Sequence, residues 1–341
     1  MLKPVKFKAA AVQAAPVFLD TLATIDKACA LIREAAAHGA ALVVFPEVFV
    51  PAYPYWSWVA NPIAASPWFQ RLCEAAVEVP GPEVARLAQA AKAHGVHVAI
   101  GVNERSARSV SLLYNTMLLI GPDGRLLGRH RKLVPTWAEK MTWAQGDGSS
   151  LRVHDTAIGP IGMLACGENT NTLARFALLS QGELVHLASY ISLPVAPPDY
   201  DMAEAIKLRA MAHSFEGKVY TVVSCSTISP QIVDLMGTSF PESRGLLERR
   251  NSAFSGVIGP DGRVVGTPLV DDEGIVYADI DLSRCIQPRQ MHDITGNYNR
   301  FDIFDLRVDR RPLQAASFRD EAVAEPLDLT AAGEGAQERP A

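Results

Sequence analysis

The chain contains no apolar run near the roughly 18 residues that a membrane-spanning helix needs, so no membrane partner is expected. Its first residues, Met-Leu-Lys-Pro-Val-Lys, lead directly into a strand pattern rather than a signal peptide, and a cytoplasmic protein is expected. Basic blocks are missing as well. With 32 Lys and Arg against 37 Asp and Glu, a formal net charge of −5 and no basic-aromatic stripe, a nucleic-acid partner is not expected. Cysteine is scarce: the five residues at 29, 73, 166, 225 and 285 include no Cys-x-x-Cys pair, which argues against a disulfide framework and against a zinc site. His38, His94 and His97 have no compact set of carboxylates beside them, so a metal-dependent hydrolase is the weakest reading and no metal is expected.

What is present is a composition of 48% hydrophobic and 20% charged residues over 341 positions, that of a globular protein with a substantial core. Strand patterns at 5–13, 41–45, 96–102, 114–120, 184–188 and 219–225 alternate with helical patterns at 20–38, 82–95 and 200–216. This alternation implies a layered α/β domain with helices covering sheets, and no linker divides it. The first helix is expected to bury Leu22, Ile25, Cys29 and Ile32, and the last Leu208, Met211, Ala212 and Phe215. Residues 51–68, rich in Pro, Tyr and Trp, read as an ordered loop lining a pocket. The turn Gly-Pro-Asp-Gly occurs at 121–124 and again at 259–262, each time followed by Arg, which suggests similar hairpins on related halves of one fold. The domain is expected to span 1–309, with 310–341 a disordered tail of polar and small residues.

The apolar run Ile161-Gly-Met-Leu-Ala stops at Cys166 and then turns polar. It reads as a buried strand ending in a thiol on a sharp turn, with Asn169, Thr170 or Asn171 capping a following helix whose positive end would lower the thiol pKa. A lone cysteine is by itself more often a small core residue. Glu47 ends another strand, Lys132 lies in a run of Arg and Lys, and Glu139 precedes Lys140; singly, each has an ordinary reading as a loop charge or a solvated pair.

Together these elements resemble the nitrilase, or carbon-nitrogen hydrolase, superfamily: Phe45-Pro-Glu47, then Arg131-Lys132-Leu-Val-Pro-Thr136, then Cys166-Gly-Glu-Asn169, in that order. Phe49-Val-Pro-Ala-Tyr53-Pro54, Gln145-Gly-Asp-Gly148 and Asp293-Ile-Thr-Gly-Asn-Tyr298-Asn-Arg300-Phe-Asp302 resemble the nitrile-hydrolysing branch. Two positions depart from that pattern: Gly167 stands where a Trp is usual, emptying volume beside the thiol, and Asn297 stands where a His is usual.

The resemblance implies a four-layer α-β-β-α sandwich of the nitrilase type, forming a homodimer or a larger homo-oligomer such as a spiral, with 287–309 as an assembly segment. It implies Glu47 as general base, Cys166 as nucleophile, Lys132 as stabilising cation and Glu139 as the residue that positions Lys132. Tyr53, Trp137, Gly167 and Tyr190 are expected around the substrate, a small organic nitrile, and no cofactor is required. An amidase or carbamoylase using the same four residues, or a catalytically silent scaffold of this fold, remain the alternatives at this point.

Overall fold

The computed structural model describes residues 5–314, apart from 195, 196 and 198, and residue 316. The expected tail, 310–341, lies mostly outside the described residues. Twelve strands are described: β1 (Lys6–Gln13), β2 (Ala40–Val44), β3 (His97–Arg105), β4 (Leu113–Ile120), β5 (Leu126–Arg131), β6 (His154–Thr156), β7 (Gly159–Ala165), β8 (Val185–Tyr190), β9 (Tyr220–Cys225), β10 (Phe254–Ile258), β11 (Val264–Val270) and β12 (Gly274–Asp281). They form two six-stranded sheets, ordered β12-β1-β2-β3-β4-β5 and β11-β10-β9-β8-β7-β6.

Strand alternation builds the layers. In β1, Ala9 and Ala11 pack into a cluster shared with Ile161, Met163, Leu187 and Val222 of the other sheet, while Ala10 and Val12 turn to the outside. There they meet Ile25, Ala28 and Ile32 of α1 (Thr21–Ala37), and the same outer cluster takes in Leu87 of α4 (Pro82–His94). The second sheet is covered by α5 (Thr172–Leu179) and by α6 (Met202–Gly217), whose Ile206 and Ala210 pack on Ala188, Tyr190 and Val223. The result is the α-β-β-α sandwich.

The sheets repeat one plan. In the first, β1, β2 and β3 are parallel and β4 and β5 return antiparallel; in the second, β7, β8 and β9 are parallel and β10 and β11 return in the same way. The two Gly-Pro-Asp-Gly turns occupy equivalent places, joining β4 to β5 and β10 to β11. Their hydrogen bonds match: Gly121 N donates to Arg125 O at 2.8 Å and Gly259 N to Arg263 O at 2.8 Å. Gly124 and Gly262, at φ +83° and +77°, adopt the left-handed conformation that glycine enters without a Cβ clash.

Three expectations are corrected. The ordered loop expected at 51–68 is largely helical: α2 (Trp56–Val59) and the first half of α3 (Pro62–Ala75) fall within it. Asn61 caps α3 by accepting from Ile63 N and Ala64 N, and Pro62 stands in the first turn where no N–H is needed, so composition hid a helix. On α6 the face bearing Leu208 and Phe215 is exposed, at 62% and 58%, and Met202, Ile206, Ala210 and His213 are buried in its place. Both faces carry apolar residues, so periodicity alone chose the wrong one. In α1, likewise, Leu22 is exposed and Cys29 half-buried, while Ile25, Ala28 and Ile32 form the buried stripe.

Candidate active site

Three strand ends converge on one buried cluster. Beyond β2 the chain runs through Pro46 to Glu47 and crosses β3 at Gly101, which donates its N–H to Pro46 O at 3.2 Å and accepts from Val50 N at 3.1 Å. A Cβ at Gly101 would stand 2.2 Å from Val48 N and 2.7 Å from the Glu47 carbonyl carbon, so this crossing requires glycine. Lys132 follows β5, and Gly146 donates to its carbonyl at 2.8 Å. Cys166 follows β7 with φ +48°, an uncommon conformation for a non-glycine residue, which turns its side chain out of the strand direction.

The charged groups form a closed set. Lys132 Nζ donates to Glu47 Oε1 at 2.8 Å and to Glu139 Oε2 at 2.6 Å, and all three side chains are at most 1% exposed. Asn115 Nδ2 donates to Glu47 Oε1 at 2.7 Å. Glu139 is held by the Tyr53 hydroxyl, which donates to Oε1 at 2.8 Å, and by Thr136 N, which donates to Oε2 at 2.6 Å; Trp58 Nε1 in turn donates to the Tyr53 oxygen at 2.7 Å. Glu47 Oε2 is buried without a hydrogen-bond partner among the described residues.

Electrostatics sharpen the picture. Burial pushes the Glu47 carboxyl up to about 7, with Lys132 opposing the rise and Glu139 adding to it. Burial also works against the Lys132 charge, but Glu47 and Glu139 hold the ammonium well above its ordinary pKa. The Cys166 thiol, by contrast, is raised well above its ordinary value, by burial first and then by Glu47, with Lys132 and Arg209 opposing. This corrects the expectation of a lowered thiol. A 3₁₀ turn, Cys166–Thr170, separates the thiol from α5, whose end is capped by Asn171 accepting from Leu173 N and Ala174 N. The helix end is therefore not at the sulfur, and the resting group is a thiol that needs a base.

The four residues expected to be catalytic, Glu47, Lys132, Glu139 and Cys166, thus lie in one electrostatically coupled cluster. The expected pocket residues divide. Tyr53 uses its hydroxyl on Glu139, so it supports that carboxylate. Tyr190 is buried with its hydroxyl unpartnered among the described residues, and Trp137 is 81% exposed, edge-on to Trp58. A Cβ on Gly167 would stand 3.2 Å from Thr136 Oγ1.

Sequence reasoning missed Asn115 and the role of Glu168. Asn115 was visible as a polar residue inside the apolar run of β4. Glu168 links the two sheets: Oε1 accepts from Leu133 N at 2.6 Å, next to Lys132, while Oε2 accepts from Ala165 N at 2.8 Å, next to Cys166. His130 Nε2, 3.0 Å from Oε2, completes its set, and His130 together with these two N–H groups overcomes burial to hold the Glu168 carboxyl below its ordinary range.

The chain belongs to the carbon-nitrogen hydrolase family, whose model matches residues 8–290. It is 39% identical over 309 residues to an aliphatic nitrilase of Rhodococcus rhodochrous, covering 89% of this chain and 83% of that one. It is 38% identical over 305 residues to a nitrilase of Paraburkholderia phymatum, covering 89% and 87%. Among solved structures, the carbon-nitrogen hydrolase from Helicobacter pylori superposes with a TM-score of 0.67 at 20% identity, covering 84% of this chain and 93% of that one. The NitFhit protein of C. elegans superposes at 0.68 with 18% identity, covering 92% and 70%, so the same fold recurs at low identity.

Proposed function

We propose that the chain is a nitrilase, hydrolysing an organic nitrile to the carboxylic acid and ammonia through a covalent bond to Cys166. The observation that carries this reading is the free Oε2 of Glu47, a buried carboxylate raised to about 7 whose other oxygen is anchored by Lys132 and Asn115. Such a group holds a position while keeping one oxygen for a proton. The nitrilase relatives at 38–39% identity over 89% of the chain support the same substrate class.

In this mechanism Glu47 takes the Cys166 proton as sulfur bonds the nitrile carbon, and the proton passes to the nitrile nitrogen to give a thioimidate. Lys132 and the Gly167 N–H stabilise the charge that develops. Glu47 then activates a water that adds to the same carbon; the C–N bond breaks, ammonia leaves and a thioester remains. A second water releases the acid and restores the thiol. Glu139, held by Tyr53, fixes Lys132, while Trp137, Tyr190 and Gly167 border the substrate.

The test is a panel of matched nitriles and amides with ammonia and acid both quantified. The reading expects stoichiometric acid and ammonia from at least one nitrile, and their loss in Cys166→Ser that stays folded. Turnover of amides alone would move the enzyme to the amidase reading.

Among the described residues no helix is long and apolar enough to cross a membrane. We infer a cytoplasmic homo-oligomer, in which further copies cover Leu173 of α5, Leu208 and Phe215 of α6, and the exposed Tyr298, Phe301 and Phe304. Light scattering that found only monomer would remove this inference.

A further inference from the structure

A second buried polar cluster lies beneath the Cys166 turn and takes no part in the mechanism above. Asn169 Nδ2 donates to Cys166 O at 3.0 Å and to Leu164 O at 3.3 Å. On its other side, Asn169 Oδ1 lies 2.8 Å from His186 Nε2, and His186 Nδ1 lies 2.7 Å from Glu183 Oε1. His213 Nε2, 3.0 Å from Glu183 Oε2, closes the set. Glu183, His186 and His213 are wholly buried and Asn169 is 3% exposed.

The partners determine the protons. Two backbone carbonyls face one end of the Asn169 amide, so that end is the NH₂ and the other is the oxygen. An oxygen can only accept, so His186 Nε2 carries hydrogen; Glu183, facing two histidines, accepts at both of its oxygens, so His186 Nδ1 carries hydrogen as well. His186 thus bridges the Asn169 amide oxygen and the Glu183 carboxylate. Burial opposes that carboxylate, yet the two histidines bring it down to about 2. Burial, with the His186 charge next to it, lowers His213 to about 4 and leaves that ring neutral. A metal ion between the three side chains would have to displace both of these short hydrogen bonds.

The geometry points to Asn169, oriented by the His186–Glu183 pair, as the positioning residue that aims the Gly167 N–H at the charge developing on the atom bonded to the reacting carbon. The carbonyl and N–H of a trans peptide point in opposite directions. With the Cys166 carbonyl pinned inward by Asn169, the N–H of that peptide unit, which belongs to Gly167, is turned the other way. First-turn N–H groups have no partner inside their own turn, so this one is free to meet a developing negative charge. Gly167 has no side chain to restrict rotation of the unit, and Cys166 already holds φ +48°, so the peptide needs an external latch.

This assignment rests on Cys166 being the nucleophile, and its test keeps the two claims apart. Asn169→Ala, His186→Gln and His186→Asn are compared with the parent by kcat and KM on a nitrile, by the rate of Cys166 alkylation with iodoacetamide, and by affinity for a short aliphatic aldehyde. The aldehyde adds the thiol across its C=O, sulfur bonding to carbon and the thiol proton passing to oxygen, so its oxygen uses the Gly167 donor, whereas alkylation does not. Gln at 186 keeps a donor where Nε2 stood, toward Asn169; Asn at 186 keeps one where Nδ1 stood, toward Glu183.

Expected in Asn169→Ala and His186→Asn is a fall of roughly 10- to 100-fold in kcat and in aldehyde affinity, with KM and alkylation rate within about threefold of the parent. His186→Gln stays within about fivefold, rescuing what His186→Asn loses. His186→Asn matching or exceeding His186→Gln in aldehyde affinity overturns the assignment, and so does an alkylation rate that falls in parallel with kcat. Should Asn169→Ala not fold, the two His186 variants decide between these outcomes. A parent that binds aldehyde but turns over no nitrile defeats the functional reading alone, and aldehyde affinity still decides this one.

Discussion

Glu47 and Glu183 are both fully buried carboxylates bonded to basic side chains, and they are held in opposite ways. Glu183 has both oxygens bonded to histidines and is brought down to about 2; it is saturated and stays an anion. Glu47 has one oxygen bonded twice and the other bare, and it is pushed up to about 7. Burial raises both; at Glu47 the Glu139 charge adds to burial against Lys132, whereas at Glu183 both histidines oppose it, so the neighbouring groups decide the outcome. A saturated carboxylate holds structure. A half-satisfied one is placed to exchange a proton.

The sharpest way to break this comparison is to remove each charge in turn. Glu47→Gln is expected to lower kcat by roughly 10²- to 10⁴-fold with little change in the denaturation midpoint, since a neutral amide cannot act as base. Glu183→Gln is expected to cost about 3–5 kcal/mol of stability, as read by urea unfolding, by removing the carboxylate that both buried histidines face, and to lower kcat less than Glu47→Gln does, since it acts on turnover only through Asn169. If Glu183→Gln proved the more damaging to turnover and the less damaging to stability, the contrast would be wrong.

Gly101→Ala comes next. Its methyl group meets the backbone around Glu47 at 2.2–2.7 Å, so the crossing strand must move, with a loss of roughly 1–3 kcal/mol. A fall in kcat of about tenfold or more is expected, because Glu47 is displaced from the thiol. A variant with parental kcat would show that the position of Glu47 tolerates that movement.

The pH profile gives a smaller, graded effect. Glu47 must be unprotonated to act, and its pKa is raised, so kcat/KM should fall about tenfold per unit as pH drops below about 7. An acidic limb near 4.5, the ordinary carboxyl value, would mean that Glu47 is not the base. Gly167→Ala should have the least effect: its methyl lies 3.2 Å from Thr136 Oγ1, so stability is expected to change by less than about 1 kcal/mol. Preference should shift about two- to fivefold toward the smaller nitriles in a panel, as space beside the thiol is lost.

Much of this was legible in the chain. Strand alternation in β1 and helical spacing in α4 follow from local periods of two and 3.6, so the layers could be read without coordinates. The paired Gly-Pro-Asp-Gly turns marked equivalent hairpins because glycine is the residue suited to their left-handed positions. Reading failed where two solutions were locally equivalent. The apolar faces of α6 are indistinguishable until a sheet covers one of them, and the helix in 62–75 was hidden by Pro62, which its first turn tolerates, and by Pro67 inside it.

The order Glu47, Lys132, Glu139 and Cys166 and the layered α/β plan were therefore carried by the sequence itself through residue type and spacing, and the sandwich followed from the family that this order resembles. Tertiary structure alone decided the protonation of the site. A thiol expected to be lowered by a helix end is raised, because burial and Glu47 outweigh Lys132 once the sheets close over it. Whether a buried carboxylate is saturated or half-free depends on partners such as Asn115 and His213, which lie 68 and 30 residues away along the chain. Periodicity is local, whereas desolvation and hydrogen-bond number are properties of the assembled interior.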